Sequence, residues 1–362
     1  MRICVLPLAL LLACSKPQAE TIETDDTSLP TSAVVPWEQI RDSYGVLETL
    51  AGSGNDPTKS LNSWDPAFEG GPAVDAELSR PHMAQMDDAG NLYIADKDAH
   101  AIRLVDVSGN IHTVAGTGEA GDLGDGPAPA ETVQLASPNG LWVRGDGTYY
   151  ILDLGNEKIR KVTPDGTLTT FIDVPGLQLG RGLWIADDEQ RAFISSGNVI
   201  YEWTPSSGVQ TYATGFINLG NLAMSPDGWL AATDRSAHEV YRVRDNGNKE
   251  VIAGNGTTTG GGDGELATDT GLEGVRGLWF HPDGGYFLAC HEGGAVWYVD
   301  SDGIAHLFLD GDDDNAHRGD GEDWDAGASK KVASVRAVWM DRDDNLIITE
   351  NDRGYVRIVY RD

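Results

Sequence analysis

Short runs of alternating apolar and polar residues fill most of the chain, and a glycine-containing turn bounds each run. Residues 138–143 (PNGLWV), 149–153 (YYILD), 158–162 (KIRKV) and 167–172 (TLTTFI) are four such runs in succession. Gly-Asp-Gly separates the first run from the second, and Pro-Asp-Gly separates the third from the fourth. Glycine closes tight hairpins because it adopts positive φ at little cost. The pattern predicts four consecutive antiparallel strands.

The same plan recurs six times along the chain. Apolar anchors of the first strand of each repeat are Ala84, Leu141, Leu183, Leu222, Leu278 and Val338. The second strands end at Asp96, Asp153, Ser196, Asp234, Cys290 and Glu350. Internal repetition at this spacing predicts an array of similar β-sheet units.

One repeat has a recognisable motif. Residues 90–96 (GNLYIAD) followed by 100–103 (HAIR) resemble the NHL repeat, and the resemblance covers roughly residues 44–362. It implies an all-β fold, a six-bladed β-propeller of the NHL or TolB-like kind with four-stranded antiparallel blades. We expect it to be monomeric.

The last repeat contains only three strands, because the chain ends shortly after Val359. Residues 45–52 (GVLETLAG) mirror 109–116 (GNIHTVAG), which form the fourth strand of an earlier repeat. We therefore predict that a strand at 44–51 pairs with one at 355–360 and closes the ring. Closure removes exposed strand edges, which otherwise promote aggregation.

The N-terminus has the features of an export signal. One early arginine precedes a short apolar run, which predicts a signal peptide over residues 1–13. Residues 11–14 (LLAC) resemble the bacterial lipobox, which implies a lipid on Cys14 and, with Ser15 next, the outer membrane of a Gram-negative bacterium. Cleavage by an ordinary signal peptidase near Ala13 is the alternative. The polar stretch that follows predicts a flexible tether over 14–43, before the propeller domain at 44–362.

The overall charge narrows the choice of partners. A formal charge of −31 argues against nucleic acid, since binding phosphates requires a basic face. Apart from Cys4 and Cys14 in the leader, Cys290 is the remaining cysteine, and its position in an apolar strand predicts a buried, unreactive thiol.

Polar residues occupy one column of the repeats, two positions before each first-strand anchor. They are His82, Asn139, Arg181, Gly220, Arg276 and Arg336. First strands line the central channel of a propeller, so these side chains are expected at one channel mouth. Arginine recognises carboxylate or phosphate in bidentate fashion, and the column predicts a site for a small anion or an acidic group of a partner. Alternatively, the arginines pair with the carboxylates that end the second strands, Asp96, Asp153, Asp234 and Glu350.

Long connections rich in glycine and aspartate join several repeats, at 52–78, 115–135, 253–272 and 311–332. They are expected on one face of the propeller, which would then carry the functional surface. The last is acid-dense, and Asp310, Asp312, Asp314 and Asp320 are candidate calcium ligands. The spacing departs from an EF-hand, however, because Asn315 stands where glycine is required, so a solvated loop is the alternative.

Two functions follow from these features. The first is a surface-anchored binding or scaffold protein whose loop face and channel mouth recognise a protein, a polymer or a small anion. The second is a metal-dependent hydrolase resembling the lactonases and gluconolactonases, with Asn139, Asn221 and Asp234 as the nearest candidate ligands for calcium. The arginines would repel a cation there, and we expect a binding protein rather than an enzyme.

Overall fold

The computed structural model describes residues 35–54, 61–122, 124–282, 284–311, 317–325 and 330–362. The predicted signal peptide, Cys14 and most of the predicted tether lie outside these residues. No helix in the described ranges is both long and apolar enough to cross a membrane.

The fold begins earlier than the sequence indicated. A short helix, α1 (Trp37–Arg41), precedes β1 (Tyr44–Ala51). Ile40 of this helix is fully buried in a core cluster with residues of the last two blades, and Trp37 stacks on His306 with ring centroids 4.6 Å apart. Residues 37–43 therefore belong to the folded part, and the range of 14–43 predicted for the tether is too long at its C-terminal end.

Six antiparallel sheets follow, and their inner strands contact one another in chain order, so that the sheets form the blades of a ring. Blade 1 contains β2 (Pro81–Met86), β3 (Leu92–Asp96), β4 (Ala101–Val105) and β5 (Ile111–Ala115). Blade 2 contains β6 (Ala128–Pro129), β7 (Pro138–Val143), β8 (Tyr149–Asp153), β9 (Lys158–Val162) and β10 (Thr167–Asp173). Blade 3 contains β11 (Leu183–Ile185), β12 (Ala192–Ser196), β13 (Val199–Thr204) and β14 (Gly208–Ala213).

The second half of the ring follows the same plan. Blade 4 contains β15 (Leu219–Met224), β16 (Leu230–Asp234), β17 (Glu239–Val243) and β18 (Lys249–Ala253). Blade 5 contains β19 (Glu265–Leu266), β20 (Val275–Phe280), β21 (Tyr286–Cys290), β22 (Val296–Val299) and β23 (Ile304–Leu309). Blade 6 contains β24 (Glu322–Asp323), β25 (Val335–Met340), β26 (Leu346–Glu350) and β27 (Tyr355–Arg361), together with β1. The described 3-10 helices are Pro66–Phe68, Ala73–Asp75, Lys97–Ala99, Ala130–Thr132, Leu154–Asn156, Ala267–Asp269 and Asn351–Arg353.

The N-terminal strand closes the ring as predicted. Strand β1 pairs antiparallel with β27, with Leu47 opposite Val359 and Thr49 opposite Arg357. The protein is thus a six-bladed β-propeller whose last blade takes its outer strand from the start of the chain.

The long connections pair with the outer strands of blades, a structural role that the sequence did not indicate. Strands β6, β19 and β24 belong to three of them, and each pairs with the outer strand of a blade: β10, β23 and β1 respectively. In the fourth connection, Pro72 forms a bridge to Asn110 beside the outer strand of blade 1. These connections therefore cover outer edges of four blades, which would otherwise offer unpaired N–H and C=O groups.

Three blades contain the same buried ion pair. Asp96 pairs with Arg103 and Asp153 with Arg160, across the second and third strands of blades 1 and 2. In blade 6, Glu350 lies 3.6 Å from Arg357, and both side chains are fully buried. All three pairs have a spacing of seven residues and join neighbouring strands within a blade.

Candidate functional site

The inner strands place the predicted polar column in the channel through a local irregularity. Strands β2, β7, β20 and β25 each shift register against the second strand of their blade, between Pro81 and Ala84 in β2 and between Val275 and Gly277 in β20. A β-bulge of this kind re-aims one side chain out of the normal alternation. The re-aimed residues are His82, Asn139, Arg276 and Arg336, which line one cavity together with Met83, Arg181 and Asn221.

Blade 4 differs from the prediction by one residue. The aligned residue of the column is Gly220, but Asn221 lines the cavity in its place. The register shift in β15 spans Leu219 to Leu222, just as that in β2 spans Pro81 to Ala84, so Asn221 is equivalent to Met83, which also lines the cavity. Gly220 packs against the next blade, because a Cβ there would lie 2.8 Å from the backbone oxygen of Arg276. We name the group His82, Asn139, Arg181, Asn221, Arg276 and Arg336 the arginine mouth.

The neutral members of the arginine mouth bond to each other and to the backbone. The Nδ1 atom of His82 contacts the Oδ1 atom of Asn139, and the amide of Asn139 donates to the carbonyl of Gly180. The Asn221 amide donates to the carbonyl of Leu278 at 3.1 Å. These bonds tie adjacent blades together. The Nε2 atom of His82 is buried and has no hydrogen-bond partner among the residues that the structure describes.

The arginines have far fewer partners. Arg276 donates to Glu292, whose side chain is 46% exposed. Arg336, only 5% exposed, makes a long contact of 3.4 Å to the amide oxygen of Asn351. Arg181 makes a similar 3.4 Å contact to the carbonyl of Leu219. Within the described ranges, neither Arg181 nor Arg336 forms a salt bridge with a carboxylate.

Further charged residues surround this group. Arg80 lies 2.9 Å from Asp352 and 3.4 Å from Asp98, while Lys97 lies 3.3 Å from the same Asp98. Arg235 faces the group from blade 4, and its Nε atom is buried without a hydrogen-bond partner in the described part of the chain. Cations outnumber carboxylates at this end of the channel, although the chain as a whole carries −31.

The pKa values of the buried arginines reflect this crowding of positive charges. Burial lowers the pKa of Arg336 well below its ordinary value, and Arg181, Arg276, Arg80 and Arg235 lower it further. Burial also lowers the pKa of Arg181 to about 9, with Arg235 and Arg276 contributing. A guanidinium stays protonated in proteins, so these shifts express an unfavourable burial of positive charge.

The sequence left open whether second-strand carboxylates neutralise these arginines. Asp96, Asp153 and Glu350 instead pair with Arg103, Arg160 and Arg357 of the third strands. Asp234 accepts the backbone N–H groups of four residues, Ile217, Asn218, Ser236 and Ala237. The carboxylates of that alternative are thus occupied elsewhere.

The cavity at the arginine mouth is small. The free space between the side chains is about 10 Å³, close to the minimum that a single water molecule needs. This space is too small for a carboxylate or a phosphate, so an acidic group of a ligand enters it only when the arginine side chains rotate.

The sequence analysis missed a second set of residues at this site, those that directly follow the second strands. Arg235, His291 and Asn351 each directly follow the last residue of a second strand, as does Lys97 in blade 1. His291 lies 3.5 Å from Asp352, and burial lowers its pKa. Aligning the repeats on the ends of the second strands would have exposed this column.

The candidate calcium ligands lie only partly within the described residues. Asp312 and Asp314 lie outside the described residues, and Asp320 bonds to Arg357, His317 and Thr49. The described ranges contain no group of three or more His, Cys, Asp or Glu side chains able to hold a metal ion. The thiol of Cys290 is buried, and burial raises its pKa, as the sequence indicated.

No protein-family model matches the chain. Among curated proteins, it is 31% identical over 111 residues to the chloroplastic protein SUPPRESSOR OF QUENCHING 1 of Arabidopsis thaliana, covering 30% of this chain and 10% of that protein. It is 26% identical over 192 residues to teneurin-3 of Mus musculus, covering 50% of this chain and 7% of that one. The chain thus spans a tenth or less of these curated relatives.

Solved structures resemble the whole propeller. An auxiliary nutrient binding protein from Bacteroides ovatus matches with a TM-score of 0.61 at 16% identity, over 88% of this chain and 77% of that one. A streptogramin B lyase matches with a TM-score of 0.55 at 14% identity, over 88% of this chain and 98% of that one. At these identities the likeness establishes the six-bladed fold.

Proposed function

We propose that this chain is a binding propeller that recognises an acidic group of its ligand at the arginine mouth. The observation that carries the proposal is that Arg336 is buried and Arg181 partly buried, with no carboxylate partner for either among the described residues. A carboxylate or phosphate would supply the missing charge and bond in bidentate fashion to planar guanidinium groups.

The ligand is proposed to be a protein, a polymer or a small molecule that projects one acidic group into the channel. The cavity has no room for a whole sugar or peptide, and a single acidic group would enter it with rotation of the arginine side chains. The likeness to an auxiliary nutrient binding protein is compatible with a binding role. We further propose NHL-type repeats and an envelope location, with Cys14 lipidated and the propeller displayed from the membrane.

Thermal shifts with anions test this function. Inorganic phosphate and glucuronate are added at constant ionic strength, with glucose as the neutral control. Ligands that bind only the folded state raise the melting temperature, so we expect phosphate and glucuronate to raise it and glucose to leave it unchanged.

The double variant Arg276→Met/Arg336→Met should lose this response. Arg244→Met is the matched control, because Arg244 is half-exposed and pairs with Glu250 on the outside of blade 4. Equal shifts in both variants, or no shift for either anion in the unaltered protein, would exclude the proposed site.

A further inference from the structure

The opposite end of the channel is lined by tryptophan. The residue that follows each first-strand anchor is Gln85, Trp142, Trp184, Ala223, Trp279 or Trp339, in chain order. Trp142 and Trp184 lie 6.4 Å apart, and Trp279 and Trp339 lie 5.8 Å apart, measured between ring centroids. Trp142 of blade 2 and Trp279 of blade 5 are 6.0 Å apart and meet across the channel axis.

Two blades break this ring of indoles, in different ways. In blade 1, the amide oxygen of Gln85 is buried and accepts the backbone N–H of Val143 at 2.7 Å, so this position is filled. In blade 4, Ala223 stands where four blades have tryptophan. A pocket of about 300 Å³ opens beside it, which is the lower end of the range for small-molecule sites. We call it the tryptophan pocket.

The walls of the tryptophan pocket are apolar and its rim is acidic. Trp142, Trp279, Met224 and Met340 form walls, and Asp341 lies at the rim. The Asp341 carboxylate is fixed in place, because it accepts the backbone N–H groups of Asp343 and Asn345, each at 2.9 Å.

One more carboxylate lies at the rim. Asp344 also lines the pocket and pairs with Arg361 at 2.7 Å. Asp341 therefore supplies the surplus negative charge, and no lysine or arginine is among the described residues that line the pocket.

We propose that the tryptophan pocket binds a small organic cation, a methylated ammonium ion. Indole faces attract cations through the ring quadrupole, and methylated ammonium groups combine positive charge with an apolar surface. A neutral sugar can stack on the indole faces, but it gains no charge attraction from Asp341. The formal charge of −31 on the whole chain adds a negative potential to that of Asp341, which also attracts a cation.

Calorimetry with a matched pair of probes tests the charge requirement. Choline and its uncharged isostere 3,3-dimethyl-1-butanol have nearly the same shape. We expect choline to bind at least about tenfold more tightly, which corresponds to a cation–π and charge contribution of ordinary size. Equal affinity would show a merely apolar cavity, and tighter binding of methyl glucoside would show a sugar site; either result overturns the proposal.

Two variants test the location. Ala223→Trp should fill the tryptophan pocket and abolish choline binding. Asp341→Asn should weaken it about tenfold. The control is Asp87→Asn, because Asp87 holds the equivalent turn of blade 1, accepting the N–H groups of Ala89 and Asn91, and lies outside the pocket lining.

Folding is checked by the melting temperature of each variant, so that Asp341→Asn keeps the test decisive if Ala223→Trp unfolds. Unchanged choline affinity in Asp341→Asn, or an equal loss in Asp87→Asn, would refute the site. The outcome is independent of the arginine mouth, which lies at the other end of the channel.

Discussion

The Nε atom of Arg160 lies 3.1 Å from the Oδ2 atom of Asp153, and both side chains are fully buried between the second and third strands of blade 2. Arg336 is almost as deeply buried as Arg160, yet it has no carboxylate partner among the described residues. Two arginines of similar burial thus differ in whether their charge is compensated. We propose that this difference separates arginines that join strands within a blade from arginines that bind the ligand.

Replacing Arg160 should destabilise the protein strongly. Arg160→Met leaves Asp153 buried without its cation, and we expect a loss of about 3–5 kcal/mol in the free energy of unfolding. The double variant Asp153→Asn/Arg160→Met should recover part of this loss. Denaturant unfolding measures both losses. The control is Arg244→Met, which removes an exposed ion pair and should lower the free energy of unfolding by only about 0–1 kcal/mol. Equal losses for Arg160→Met and Arg244→Met would contradict the assignment.

Substitution of Arg336 by methionine should have the opposite effect on the free energy of unfolding. Arg336→Met removes an uncompensated buried charge, so in buffer without added multivalent anions we expect the free energy of unfolding to rise by about 1–3 kcal/mol. Denaturant unfolding with and without phosphate measures the effect. A loss comparable to that of Arg160→Met would mean that Arg336 is a structural residue.

Two glycines of blade 1 provide a test of backbone packing. Gly109 and Gly116 both have positive φ, +80° and +88°. A Cβ on Gly109 meets nothing within 4 Å, whereas a Cβ on Gly116 would lie 2.2 Å from the carbonyl oxygen of His100. Gly109→Ala should cost about 1–2 kcal/mol through conformation alone, and Gly116→Ala at least about 2 kcal/mol more, because backbone must move. Similar melting temperatures for the two variants would disprove the contact.

The arginine mouth should also make stability depend on pH. Burial lowers the pKa of His82 well below its ordinary value, with Arg336, Lys97 and Arg181 contributing. Below about pH 6.5 the unfolded chain binds a proton at this residue that the folded chain does not. The stabilisation is therefore complete above that pH and decreases by up to about 1.4 kcal/mol per pH unit as pH falls.

Comparison with His82→Asn isolates this contribution. Burial raises the pKa of Asp96 to about 6 and that of Glu350 to about 7, and these two groups favour the folded state as pH falls. Subtracting the variant from the unaltered protein removes their effect. Unfolding measured at pH 7, 6 and 5 should show a shallower loss in His82→Asn than in His112→Asn, a partly exposed control. Parallel curves would contradict a buried neutral His82.

Repetition made the fold predictable from the sequence. The resemblance of residues 45–52 to 109–116 was enough to predict that β1 pairs with β27, because equivalent residues in a repeat occupy equivalent strands. The bulges are not visible in a residue pattern. The alignment therefore selected Gly220, which has no side chain, and missed Asn221, the next residue, which lines the cavity. The burial of Ile40 depends on packing of α1 against other blades, which local composition does not reveal.

The candidate site was predictable only in part, for the same reason. A column aligned on first strands found Arg181, Arg276 and Arg336, but residues that follow the second strands need a separate alignment. The pairing of Asp153 with Arg160 was also hidden, since the sequence offers several arginines and only three-dimensional placement decides among them.

The closing strand sets the order in which the ring can be assembled. The hydroxyl of Tyr44 donates to the carbonyl of Asp344, 300 residues further along the chain. A chain that emerges from the ribosome N-terminus first presents β1 long before its partner β27 exists, while blades 1 to 5 can form from consecutive residues. The apolar side of β1, with Leu47, must remain unpaired until β27 has been synthesised. Pairings so distant in sequence form slowly, so the interval before closure is when the chain is most exposed to aggregation and to capture by a chaperone.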